Sequence, residues 1–357
     1  MRRRLRPRKR WNDEGVASTV GTIMALLVFL TFLSLITNQY VPVWMKDSEA
    51  AHMGEVLGQL GDFKSDIDTQ ILGARVSAQL GQRYLPYTSF STIKLGVDGV
   101  PIFSSPTIGE LQINQQAAPW TVWFRYSAGG NNTTVPEGTS CSLSDADQVC
   151  GGHVRLRVFN RYFPQQTIAY ENGALIRSQF DGEVIKGEPT FAVFRSNTSV
   201  QVDFTLVRLF GSGGVAGIGS EGLAARVSAA DLQEYTDINT AVWVNHTSLF
   251  GPAWYRFLNA TLAAAYDVTT DLYQSNPDFT YRGIYGSGGQ PIQLRADNPI
   301  YLVESVWDSG ASVYDVTVEF KLDEAGDSVA VLPVGAFRLL HAFADVQAGE
   351  QGTQVGG

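Results

Sequence analysis

Residues 16–45 carry no charged side chain, and seven of the first ten residues are basic (Arg2, Arg3, Arg4, Arg6, Arg8, Lys9 and Arg10). Within the uncharged stretch, Val20–Ile36 is apolar around the whole helical circumference, which leaves no polar face to turn toward water. At about 1.5 Å per residue, Val16–Ile36 extends roughly 31 Å as a helix, close to the hydrocarbon thickness of a bilayer. Eleven Leu, Ile, Phe or Val residues stand between Val20 and Ile36. Together they favour insertion by about 3–7 kcal/mol. Tyr40 and Trp44 follow at the position of an interfacial aromatic belt, and the next charges are Lys46, Asp47 and Glu49. The basic excess lies wholly before the helix, so the positive-inside rule predicts an N-in, C-out single-pass protein with the remaining residues outside the cell. A removable secretory signal has a shorter apolar core and a small-x-small cleavage site; Ile36–Tyr40 is a poor match, and a retained helix is expected.

The small and hydroxyl residues Ala17, Ser18, Thr19, Gly21 and Thr22 at one end allow close approach of another backbone. Val20, Ile23, Leu26, Leu27, Leu30 and Leu33 are the expected packing residues of this helix. Net charge is −9 overall and +5 over residues 1–14, which leaves −14 for the remainder. That acidic surface argues against nucleic-acid binding. Cys141 and Cys150 are the only cysteines. In an exported loop they read as one local disulfide, with two buried thiols as the alternative. Asn131, Asn132, Asn197, Asn245 and Asn259 begin Asn-x-Ser/Thr triplets beyond the helix and are candidate glycosylation sites.

After Pro42 the pattern becomes amphipathic. Met53, Val56, Leu60, Phe63, Ile67 and Ile71 recur at spacings of three and four, widened by Leu57, Ala74 and Ala78. The spacing predicts a helix from about Asp47 to Arg83, within a stalk over 41–85, ending near Pro86. Its stripe faces either a neighbouring subunit or the protein's own sheet. From Thr92 the period changes to two, as in Val154/Leu156/Val158, Val200/Val202/Phe204 and Tyr314/Val316/Val318/Phe320/Leu322. Turn signals at Asp98-Gly99, Asn172-Gly173 and Asp181-Gly182 separate the strands. The expected fold is α+β: a long N-terminal helix, transmembrane in its first half and amphipathic in its second. A mainly antiparallel β-sandwich head over 86–345 follows, as one sandwich or two stacked sheets. An inserted helix is expected near 249–265 and a flexible tail over 346–357.

The leader, followed by Asp13-Glu14-Gly15-Val16-Ala17-Ser18-Thr19-Val20-Gly21-Thr22-Ile23 and an apolar helix, resembles archaeal type IV pilin-like proteins and archaellins. The resemblance implies cleavage by a prepilin peptidase before Gly15, a class III signal peptide. It also implies lipid around the helix before assembly, and afterwards a filament core of such helices with heads outward. Partners would be further copies or related pilins and the pilus assembly machinery. Glu14 departs from the basic residue usual before the cut, which leaves an uncut, singly anchored surface protein as the alternative. The segment Arg161–Gln179, with Tyr170-Glu171-Asn172-Gly173-Ala174, resembles archaeal surface proteins of this type without a known activity.

Catalytic signatures are weak. Gly217-Ile218-Gly219-Ser220-Glu221-Gly222 fits G-x-G-x-x-G, but a dinucleotide site needs it inside a βαβ unit. His52, His153, His246 and His341 are scattered and suit surface or capping roles, and no G-x-S-x-G elbow occurs. No enzymatic activity and no cofactor are expected. Acidic groups at Asp315, Glu319, Asp323, Glu324 and Asp327, and at Asp145 and Asp147, offer oxygen ligands for Ca²⁺ without EF-hand spacing; solvated acidic faces are the simpler reading.

Overall fold

The computed structural model describes residues 13–128, 131–134, 151–238, 240–322 and 331–349. It opens with α1 (Asp13–Leu35), passes through a π-turn at Ile36–Tyr40, and continues as α2 (Val41–Gln79). The π-turn has a local cause. Pro42 has no N–H, and its ring crowds the carbonyl four residues back; the widened turn, in which the Val41 N–H reaches the Ile36 carbonyl, absorbs both.

Helix α2 stops earlier than Arg83, because Gly81 adopts φ +64°. Its N–H bonds the Ala78 carbonyl (3.1 Å), and the Gln82 N–H bonds Ser77 (2.8 Å). This is a Schellman closure that satisfies the last carbonyls before Pro86 is reached.

Among the described residues, three sheets and a hairpin make up the head. Sheet I runs β1 (Ser89–Lys94), β13 (Ser220–Thr236), β19 (Val334–Ala348), β11 (Val200–Phe210) and β10 (Phe191–Arg195). Sheet II runs β12 (Ser212–Gly217), β2 (Gly109–Asn114), β6 (His153–Val158), β7 (Gln166–Glu171), β8 (Ala174–Gln179) and β9 (Gly182–Gly187). Sheet III runs β15 (Thr280–Tyr285), β16 (Pro291–Asp297), β17 (Tyr301–Asp308), β18 (Val313–Phe320), β14 (Val242–Ser248) and β3 (Trp120–Trp123). Strands β4 (Arg125–Ala128) and β5 (Asn131–Thr134) form the hairpin. Pairing is antiparallel except for β11 against β19, which is parallel. Helix α3 (Gly251–Ala265) is the expected insertion, and a short α4 (Thr270–Ser275) follows it.

Two apolar cores share sheet I. In the first, Met53, Val56, Leu60, Phe63, Ile67 and Ile71 of α2 pack against Ile93, Leu111, Leu156, Tyr170, Leu209 and Val227. The α2 stripe is therefore covered by the chain's own sheets, not by a neighbour. Phe63 meets the Tyr170 ring edge-on at 5.4 Å. The second core joins α3 and sheet III to the far half of sheet I.

Strands β11 and β19 serve both cores. Val202, Phe204 and Leu206 face the second core, whereas Val207 and Leu209 face the first. Phe337 and Leu339 pair with Leu340 and Ala342 in the same way. Because side chains alternate across a strand, the change of core shows as adjacent apolar residues, Leu206-Val207 on β11 and Leu339-Leu340 on β19.

Candidate functional site

The residue types that set α1 apart lie on its surface. Val20, Ile23, Leu26, Leu27 and Leu30 are 47–57% exposed, and Leu33 is half-buried. Among the described residues one helix, Ser18–Gln79, is long and apolar enough at its N-terminal end to cross a membrane, and none of that apolar window is buried. The hydroxyls that interrupt it bond back along the helix: Thr22 to the Ser18 carbonyl (2.6 Å), Thr31 to Leu27 (2.7 Å) and Thr37 to Leu33 (2.9 Å). Their polarity is thus spent internally. At the exit, Tyr40 and Trp44 lie 5.9 Å apart and are exposed.

Immediately beyond, α2 is fastened to the head by polar side chains on its buried face. The fully buried Glu49 carboxylate accepts hydrogen bonds from Thr107 Oγ1 (2.6 Å) and the backbone N–H groups of Arg161 (3.0 Å), Tyr162 (2.8 Å) and Phe163 (2.7 Å). His52 Nε2 donates to the Lys94 carbonyl (2.9 Å). Gln59 accepts from the Lys94 N–H (2.9 Å), and Gln70 accepts from the Val227 N–H (2.8 Å). Such bonds fix the register of helix against sheet, which apolar contacts alone leave loose. Position 49 lies in phase with Met45, Met53 and Val56; a carboxylate on an apolar stripe is the signal by which sequence reasoning could have found it.

A second buried node sits between sheets II and III. Glu171 Oε1 accepts from His246 Nε2 (2.8 Å), Ser248 Oγ (2.6 Å) and Trp254 Nε1 (2.7 Å). His246 Nδ1 donates to the Pro119 carbonyl (3.0 Å), and its ring stacks on Trp120 at 3.8 Å. Burial pushes the Glu171 carboxyl upward, but the His246 hydrogen bond and charge, then His153 and Ser248, outweigh it and hold the carboxyl below its ordinary range. Both His246 nitrogens therefore face acceptors, the pattern of an imidazolium. Serine, histidine and glutamate stand together here. Yet the serine proton goes to the carboxylate rather than to an imidazole, so the serine–base bond of nucleophilic catalysis is missing.

The node explains the Tyr170–Ala174 motif. Tyr170 packs on α2 and Glu171 forms the ion pair. Asn172 (φ +46°) and Gly173 (φ +77°) make the β7–β8 turn, and Asn172 Oδ1 accepts the Val207 N–H at 2.7 Å.

All four histidines are buried, contrary to the expected surface or capping roles. Burial drives His341 down to about 4 and lowers His52 and His153 as well. Of the candidate sequons, Asn197 is exposed in the β10–β11 turn and Asn245 is exposed on β14. Asn259 is half-buried on α3, where its Oδ1 accepts the Tyr301 hydroxyl (3.2 Å). For Asn131 and Asn132 only the β5 backbone is described, and for Gly15 only its place in α1. Cys141, Cys150, Asp145, Asp147, Asp323, Glu324 and Asp327 lie outside the described residues. Asp315 and Glu319 share one face of β18, with Asp315 accepting from Thr247 (3.0 Å). Among the described residues no group of three His, Cys, Asp or Glu side chains gathers to hold a metal. Gly217–Gly222 spans the step from β12 in sheet II to β13 in sheet I, both antiparallel-paired to their first neighbours, so the βαβ setting is absent there.

No family model, no curated protein and no solved structure matches this chain.

Proposed function

We propose that the chain is a pilin-like structural subunit of an archaeal type IV pilus-like surface filament. It is held N-in, C-out through α1 before assembly and serves adhesion or cell contact through its outward head. The observation that supports this reading is the contrast along one continuous helix. The α2 stripe is satisfied by the chain's own sheets, whereas α1 is apolar and all of its described side chains except Leu33 are exposed. Such a helix needs lipid or the helices of further copies around it. Small residues at its N-terminal end permit the close packing a helix bundle requires, and the internally bonded hydroxyls lower the cost of leaving water. Exposed Asn197 and Asn245 give the head accessible glycosylation positions.

Mass spectrometry of the mature N-terminus tests the reading. Filaments sheared from cells and carrying this chain from Gly15 support it. A chain retained in membrane extracts with its Arg-rich leader intact overturns it in favour of the second reading, a singly anchored extracellular binding protein that does not polymerise. One observation favours that second reading: with the α2 stripe already covered, α1 alone remains to join copies.

A further inference from the structure

The loop between β1 and β2 is an exposed apolar tip at the foot of the head. From Gly99 to Gly109 (GVPIFSSPTIG) no residue is charged, although Asp98 and Glu110 bracket it. Ile102 at the tip is fully exposed and adopts φ +73°. A β-branched residue there is a genuine outlier and costs on the order of 1–3 kcal/mol. Among the described residues nothing offsets that cost, because the side chain is open to solvent.

The position of the loop follows from α2. Ser89 is bonded to Gln70, Lys94 to His52 and Gln59, and Thr107 to Glu49, so β1 descends along α2 toward α1. Val97 and Thr107 close the loop's neck (2.9 and 2.8 Å) at the level of Glu49. Only eight residues of helix, about 12 Å, separate Glu49 from Val41. Val41 and Met45 are already buried, so the head reaches the first turn of α2, beside exposed Tyr40 and Trp44.

Its backbone is closed at the base of the turn. The Val100 carbonyl accepts from the Phe103 and Ser104 N–H groups (3.0 and 2.9 Å), Ser104 Oγ accepts the Val100 N–H (3.0 Å), and Pro101 has no N–H. The Ile102 N–H and the Pro101, Ile102 and Phe103 carbonyls have no such bond among the described residues, so the tip suits the hydrated lipid interface and not the hydrocarbon core. The adjoining segment is basic and aromatic. The Phe159 N–H bonds the Ile108 carbonyl (3.0 Å), Arg157 lies 5.0 Å over the Phe159 ring, and Arg161 is exposed. Residues 157–165 contain no acid, in a head that is otherwise strongly acidic. Arg with Phe and Tyr beside an apolar tip is complementary to an anionic lipid interface.

We propose that the Val100–Phe103 tip is a second membrane contact, seated in the lipid interface next to the point where α1 leaves it. The strained Ile102 is held outward for that purpose. This rests on the reading of α1 as a membrane span.

The full-length chain in phosphatidylcholine–phosphatidylglycerol vesicles carrying a diazirine on the lipid acyl chain tests both claims at once. After photolysis, peptide mapping should find lipid adducts on α1 and on residues 99–109, and none on the exposed Gly286–Gly289 turn. Ile102→Glu, and Ile102→Asn, which suits the left-handed backbone, should lose the loop adducts while keeping those on α1. Adducts on α1 with none on 99–109 overturn the second contact and leave the span standing. Loop adducts that persist in both variants overturn the assignment to Ile102. Crosslinks from 99–109 to another copy in place of lipid overturn the lipid assignment. An unlabelled α1 overturns the span and this proposal with it.

Discussion

Replacing Glu49 with Gln tests whether one buried carboxylate fastens the helix to the foot of the head. The oxygen facing Tyr162 and Phe163 accepts both their N–H groups, at 2.8 and 2.7 Å. In the Glu49→Gln variant one of the two oxygens becomes an NH₂ donor. If that group occupies this place, two backbone donors are left facing a third; if the amide flips, the Thr107 hydroxyl turns to accept from it and the Arg161 N–H alone is orphaned. Each lost hydrogen bond to a charged acceptor is worth about 1.5–3 kcal/mol, and an orphaned buried donor costs a similar amount. The flipped orientation is the cheaper; its lost bond and orphaned Arg161 donor, with the charge also removed from the Tyr162 and Phe163 bonds, give a penalty of about 3–4 kcal/mol. At 1.4 kcal/mol per factor of ten, the amides of Arg161, Tyr162 and Phe163 should exchange at least a hundredfold faster, if local opening governs them. Hydrogen–deuterium exchange of the full chain in detergent micelles reads this directly, with protection of the α3 core unchanged. Glu49→Gln with protection at 161–163 within about threefold of the parent refutes the reasoning: the carboxylate would then be a passenger on α2.

His246→Leu strands the Glu171 carboxylate without its partner and should cost about 3–5 kcal/mol in denaturant unfolding; adding Glu171→Gln should recover part of that loss. Gly81→Ala forces an L side chain into φ +64° and should destabilise by about 1 kcal/mol, seen as fraying of the last turn of α2. His341, His52 and His153 have lowered folded values. The unfolded chain therefore binds protons that the native state refuses below the ordinary histidine value of 6.5, and stability should fall as pH drops from there toward about 4. Glu183 acts in the opposite sense: burial raises it to about 7, so its native proton is held while the unfolded carboxyl ionises, and stability should fall as pH rises from 4.5 to about 7. Glu183→Gln should remove that second slope and leave the first, measured as thermal midpoint against pH.

Legibility varied with how local the governing physics is. The α1 run, the α2 stripe, the strands at Val154–Val158 and Tyr314–Phe320 and the α3 insertion all follow from periodicity, because a side chain's burial there repeats with its own element. The early stop of α2 is set locally by Gly81, five residues before Pro86, because glycine takes the left-handed cap without strain. Glu49 was legible only as a carboxylate in phase with an apolar stripe. Glu171, His246, Ser248 and Trp254 were not: they lie up to 83 positions apart and meet only when sheets II and III close on one another. The double duty of β11 and β19 was hidden for the same reason, since adjacent apolar residues such as Leu206-Val207 and Leu339-Leu340 do not say which faces which core.

By itself the sequence determined that the first helix cannot be wetted, that a second, amphipathic helix continues it, and that β-strands of period two follow. Those properties depend on each segment's own pattern of charge and hydrophobicity, and no later fold can rewrite them. Only the tertiary structure decided what covers the amphipathic stripe, which carboxylates are buried and matched, and that the tip at Ile102 sits at the foot of the head. Each of these depends on groups distant in the chain arriving within a few ångströms, a coincidence created by the pairing of sheets and invisible in any single segment.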